Sequence, residues 1–184
     1  MKIYQLRIDL LDIKPPIWRR LLVPGSDSLN DLHYNIQTAF GWYDCHLHEF
    51  EIDGARYQSS EGLKFDSGFG EPATNEEKMQ IQKVFKKDSM GMYIYDFGDF
   101  WRHKIKVEKI TTSENSDFDA QVIGGKRACP PEDCGGPWGY ANLLEILNDP
   151  KNPERKDYLD WLGIDDPSKE FDPDYFDTSE LGEL

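Results

Sequence analysis

The sequence predicts an α+β fold: a mixed, largely antiparallel sheet roll with a β-grasp-like first half, helices packed on one side, and a C-terminal helical segment. Three observations predict it. Tyr4, Leu6, Ile8 and Leu10 alternate with Gln5, Arg7 and Asp9, the period-two pattern of a half-buried strand. Trp101, His103, Ile105 and Val107 alternate with Arg102, Lys104, Lys106 and Glu108, just after a strand-like run at 92–97 and a Gly98-Asp99 turn, which reads as a hairpin. Leu29, Leu32, His33, Ile36 and Phe40 recur at helical spacing between Ser28, an N-cap residue type, and Gly41, an exit signal.

The elements follow in order. Pro15-Pro16 ends the first strand, and 17–23 reads as its return partner, stopped by Pro24-Gly25. After the helix, a third strand spans 46–52 and closes at Asp53-Gly54. The Gly/Ser-rich stretch 58–72 predicts a long surface loop, and 76–87 reads as a short strand followed by a helical turn. Beyond the hairpin, a turn-rich block at 124–139 precedes a helix with Tyr140, Leu143, Leu144 and Leu147 on one face. Asn152-Pro153 signals a last helix that buries Tyr158, Trp161 and Leu162 and stops at Gly163. The expected organisation is one domain over 1–164 and an acidic tail over 165–184, docked loosely on it.

Charge and composition narrow the function classes. A net charge of −14 repels nucleic-acid phosphate and anionic lipid, so neither is an expected partner. Half of that charge sits in the last twenty residues, where eight acids face Lys169 alone. No apolar run approaches the roughly 18 residues of a membrane helix, and the N-terminus lacks a signal-peptide pattern, so a cytoplasmic protein is expected. Cys45, Cys129 and Cys134 are too few, and odd in number, for a disulfide framework.

Histidine placement carries the site prediction. His46 and His48 share strand parity with Phe50 and Ile52, and His103 shares it with Trp101 and Ile105, so all three are expected to face inward. A buried imidazole needs partners or a metal, because an unpaired polar group costs about 1–3 kcal/mol. His33 reads as a packing residue on the apolar edge of its helix. Asp96 falls on the strand face opposite Tyr93 and Tyr95, and Asp99 sits in the turn close to His103, where a carboxylate can orient an imidazole. The block from Gly124 to Tyr140 packs Pro and Gly around Arg127, Cys129, Glu132, Asp133, Cys134 and Trp138, which predicts a rigid, site-forming loop.

These motifs resemble a known family. The His-Leu-His-Glu-Phe-x-Ile run from His46, the Tyr-Asp-Phe-Gly-Asp-x-Trp-x-His hairpin from Tyr95, the Ala-Cys-Pro-Pro-Glu-Asp loop with its Gly-Gly-Pro-x-Gly-Tyr ending from Ala128, and the Phe-Asp-Pro-x-x-Phe-Asp close from Phe171 are similar to the plasmid-Ri ORF-three-like family, also labelled TnpR-type insertion-element passenger proteins. The resemblance covers almost the whole chain and implies an α+β roll. It implies little about mechanism. A small residue often stands in the family where this chain has Cys134, which singles out Cys129 as the thiol of interest. The TnpR label suggests a resolvase, but the chain has no serine-recombinase arrangement, helix-turn-helix signal or basic stretch.

Three functions follow as expectations. The first is a binding or interaction domain for a small polar ligand or a peptide, with a pocket where the Asp96–His103 hairpin, the Arg127–Tyr140 loop and the His48 strand meet, Arg127 and His48 as anchors, and Trp101 or Trp138 as walls. The second is a thiol- or metal-dependent hydrolase using Cys129, His48, His103 and Asp99. The third, disfavoured by charge, is a mobile-element accessory acting on DNA. No cofactor is expected; the alternative is a zinc ion drawn on Cys129, Cys134, His48 and His103.

Overall fold

Alternating apolar residues along the first two strands force one side of the chain to seek cover, and the architecture is built from that. The computed structural model describes residues 1–65, 72–115, 117–166 and 171–180. The strands are β1 (Lys2–Leu10), β2 (Ile17–Pro24), β3 (His48–Ile52), β4 (Ala55–Gln58), β5 (Thr74–Asn75), β6 (Met90–Tyr95), β7 (Trp101–Thr112) and β8 (Gln121–Lys126). The helices are α1 (Leu29–Phe40), the single turns α2 (Gly62–Phe65) and α3 (Ile81–Val84), α4 (Gly136–Asn148) and α5 (Arg155–Trp161). Short 3₁₀ turns cover Glu76–Lys78 and Thr178–Glu180.

Among the described residues the strands form one sheet in the order β5-β4-β3-β6-β7-β1-β2-β8, antiparallel throughout except for the β4–β5 pair. The fold class expected from the sequence is therefore observed. Register aligns the inward residues in rows across the sheet. One row runs Ile17, Leu10, His103, Tyr93, Phe50 and Tyr57, and the next runs Trp101, Tyr95 and His48. Since side chains alternate faces, these rows share the side that α1 covers with Leu29, Leu32, Ile36, Ala39 and Phe40, all buried.

Helix α1 begins and ends where expected. Ser28 accepts from the Asp31 backbone N–H while the Asp31 carboxylate takes the Ser28 N–H, and Gly41 closes the helix in the left-handed region. Other boundaries moved. The third strand starts at His48, leaving His46 in an irregular segment. Helix α4 begins at Gly136, inside the turn-rich block, because Pro137 suits a first helical turn and Gly136 lets the backbone approach the hairpin: a Cβ there would lie 2.5 Å from the Asp99 carbonyl oxygen. Helix α5 starts at Arg155; Asn152 instead accepts from the Glu154 N–H in a turn ahead of it. It buries Leu159, while Trp161, expected inside, is 49% exposed. The predicted loop resolves into β4, α2 and β5 around residues 66–71, which lie outside the described residues, as do 167–170 and 181–184 of the tail.

Candidate functional site

His48 and His33 stack face to face across the junction of sheet and helix. Their ring centroids are 3.6 Å apart with planes 5° from parallel, and both side chains are buried. His48 arrives there by strand parity. His33 arrives because α1 lays its buried edge on the sheet, so its expected role as simple packing is corrected: it belongs to a polar circuit. Its Nδ1 lies 2.8 Å from the Tyr93 hydroxyl and its Nε2 2.9 Å from Asp44 Oδ1. Gln37 closes the circuit, donating to Tyr93 Oη at 2.9 Å and accepting the Asp44 N–H at 3.0 Å.

Proton bookkeeping assigns the tautomers. The Tyr93 oxygen already accepts from the Gln37 amide, so its own proton goes to His33 Nδ1, and His33 Nε2–H donates to Asp44. Burial, reinforced by His48, pushes the His33 imidazole down to about 2 and keeps it neutral. Burial also drives the Tyr93 phenol well above its ordinary range and raises the Asp44 carboxyl.

The second imidazole has its own carboxylate. His48 Nε2 lies 2.8 Å from Oε1 of Glu76, which is fully buried at the start of the 3₁₀ turn after β5. A buried carboxylate without partners is costly, so Nε2 carries the proton that Glu76 accepts. Two atoms are left over. Glu76 Oε2 is sealed with no partner, and His48 Nδ1 makes no hydrogen bond among the described residues and is not sealed. The rings form part of the wall of a cavity of about 460 Å³, whose rim includes Asp44, Cys45, His46, Ser59, Ser60, Glu61, Lys64 and Glu77. That size suits a small molecule.

The proline-rich loop staples this wall in place. Glu132 accepts the Tyr43 N–H at 2.8 Å and the Tyr95 hydroxyl proton, and the Tyr95 oxygen accepts the Cys45 N–H at 2.9 Å. Asp133 meets His46 Nε2 at 2.9 Å, and Pro130 accepts the Trp42 indole N–H at 2.9 Å. Segment 42–46, including Asp44 in the left-handed region, is thus held jointly by this loop and by Tyr95 of β6.

The expected site residues fall in separate places. His48 is at the cavity. His46, expected to face inward, lies at the rim, because it precedes β3 and parity does not govern it; Asp96 sits 3.7 Å away. His103 faces inward as expected but is sealed in the core, edge-on to Phe40 and Trp42 and beside Tyr93, with neither nitrogen at full hydrogen-bond geometry to a partner among the described residues. Trp101 is buried against Trp42. Asp99 accepts the Gly135 N–H at 3.0 Å and does not orient His103. Trp138 is 88% exposed on a different surface beside Phe100 and Arg102. Arg127 pairs with Asp174, and Cys129 accepts from Arg19 at 2.8 Å.

The chain matches the model of the plasmid pRiA4b ORF-3-like protein over residues 2–180. The chain belongs to the plasmid pRiA4b ORF-3-like family. It is 31% identical over 166 residues to the uncharacterized protein y4hQ of Sinorhizobium fredii (strain NBRC 101917 / NGR234), covering 89% of this chain and 82% of that protein. It also resembles the crystal structure of the protein of unknown function MM3350 from Methanosarcina mazei Go1, with 37% identity, a TM-score of 0.84 and 98% of each chain covered. No helix of the described residues is long and apolar enough to cross a membrane.

In this pRiA4b ORF-3-like chain the four residues first drawn as zinc ligands do not converge. The donor groups that do are His33, Asp44 and His48, and, separately, His46, Asp96 and Asp133, each set within 4.8 Å. Parallel stacked rings send their in-plane lone pairs side by side and not to a common point, so the first set suits hydrogen bonding better than a shared ion. The thiol is equally unsuited to attack: burial pushes Cys129 up to about 12 despite Arg19 beside it. Glu76 and His33 escaped sequence reasoning, though an acid ahead of an apolar turn and a histidine on a helix's buried edge were visible signals.

Proposed function

We propose that this is a binding domain whose cavity takes a small polar ligand rich in hydrogen-bond donors, an ammonium or amidinium group in particular. The observation that carries the reading is the Glu76–His48 pair. Its buried carboxylate sets the imidazole tautomer, leaving Nδ1 of this cavity-lining ring as an acceptor without a partner among the described residues. Asp44, Glu61 and Glu77 on the rim outnumber Lys64, so the local charge favours a cation. A thermal-shift screen of small amines, amidines and dipeptides tests this. Hits should vanish in His48→Phe and persist in His103→Leu; a ligand that binds both alike sinks the proposal.

A second reading makes the same pair catalytic, with His48 as a general base oriented by Glu76. It is favoured by the free Nδ1 and would show as a rate lost in Glu76→Gln and His48→Gln alike, with Cys129→Ser unaffected. The mobile-element accessory role has the net charge of −14 against it, and a salt-dependent DNA shift assay with no retarded species would remove it.

A further inference from the structure

Residues of the closing Phe-Asp-Pro-x-x-Phe-Asp motif lie against the end of β8. The Ala128 N–H donates to the Pro173 carbonyl at 3.1 Å, Phe171 meets Tyr140 edge-on, and Phe176 packs on Gly125 and over the Arg19 guanidinium at 4.3 Å. Gly125 is what permits this, since a Cβ there would fall 2.4 Å from the Phe176 ring.

Beneath this segment the charge is out of balance. Arg19 is 3% exposed, and all five of its N–H donors are used, on the carbonyls of Ala39, Trp18, Lys126 and Arg127 and on Cys129 Sγ. None of these acceptors is a carboxylate. Arg127, 8% exposed, donates from Nη1 to Asp174, yet its Nε is sealed without a partner among the described residues. The Tyr140 hydroxyl is likewise sealed and has no partner among the described residues. Of these two buried guanidiniums only Arg127 meets a carboxylate, one that is itself 71% exposed, while two donors stay idle among the described residues. Buried cations and unpaired donors both carry a free-energy cost that a better anion relieves.

We propose that Arg127 and Tyr140, in the field of Arg19, form a recognition site for a phosphate-class oxyanion, and that Asp174 is its resident stand-in. A carboxylate presents two oxygens in one plane and leaves Arg127 Nε and Tyr140 Oη unmet. A tetrahedral anion offers oxygens in more directions and a second charge. Binding displaces the 171–176 segment, so Asp174 competes with the ligand and weakens it in the intact chain.

The test uses the full-length protein, titrated with inorganic phosphate and, in parallel, phosphoserine, at constant ionic strength set with chloride. Asp174→Asn should bind at least one of them saturably and about tenfold more tightly than the wild type, with acetate much weaker. Adding Tyr140→Phe should cost about fivefold, and adding Arg127→Gln should remove binding. The preferred probe tells a free-phosphate site from one that reads a phosphorylated side chain. If Asp174→Asn does not fold, Gly125→Ala, which lifts Phe176 instead, must show the same gain. Equal affinity in variant and wild type, or stabilisation by chloride as strong as by phosphate, overturns the proposal.

Discussion

Replacing His103 with Leu should change how the protein responds to acid more than how it behaves at neutral pH. His103 is fully buried between Phe40, Trp42 and Tyr93, and among the described residues neither ring nitrogen meets a partner at full hydrogen-bond geometry, only the nearby backbone of Tyr93 and Trp101. Burial pushes its imidazole from 6.5 down to about 3, with the Tyr93 and Trp101 backbone only partly opposing the shift. The unfolded chain takes up a proton near pH 6.5 and the folded chain does not. Between those two values the unfolded state binds more protons, so stability falls as pH falls, by about 1.4 kcal/mol per pH unit well below 6.5. From pH 7 to pH 5 the loss due to this one side chain is about 2 kcal/mol, or roughly 4–8 °C in Tm for a chain of this size. Urea melts of wild type and His103→Leu at both pH values measure it. The variant should be about as stable as wild type or slightly better at pH 7, since it removes two unpaired polar atoms, and about 2 kcal/mol less sensitive to the drop. Carboxylates and His33 contribute equally to both proteins and cancel in the difference. If wild type and variant lose the same stability, His103 has a partner or titrates while folded, and the reasoning fails.

Three further outcomes are expected. Thiol titration of the native protein should report one fast-reacting cysteine, the exposed Cys45, with Cys129 and Cys134 reacting only on unfolding, because burial pushes both of the latter up to about 12. Gly136→Ala should destabilise by about 2–4 kcal/mol in chemical denaturation, since it combines a left-handed backbone at φ 68° with a contact to the Asp99 carbonyl. Glu132→Ala should cost about 1–3 kcal/mol and weaken ligand binding at the cavity without touching it, as segment 42–46 loses its staple; unchanged affinity would show that Asp44 is positioned by Gln37 and His33 alone.

How much was legible follows from which forces are local. Strand parity placed His48 and His103 on the inner face, and capping chemistry placed both ends of α1, because those signals reside within a few residues. Parity failed at His46 for an equally local reason: the strand begins two residues later. It could not say that Tyr93 would stand between His48 and His103 and keep them in different environments, since that depends on which strand enters between β3 and β7.

The sequence by itself determined an acidic α+β chain, the faces of its strands, and the position of the proline-rich loop ahead of α4. Only the tertiary structure decided that His33 stacks on His48, that Glu76 is the buried partner of His48, and that Glu132 and Asp133, not the neighbouring thiols, tie the loop to the site. The physical reason is separation along the chain. Periodicity records whether a side chain faces solvent or core, but the identity of its partner is set when elements distant in sequence dock, and that docking selects which polar groups find each other in the interior.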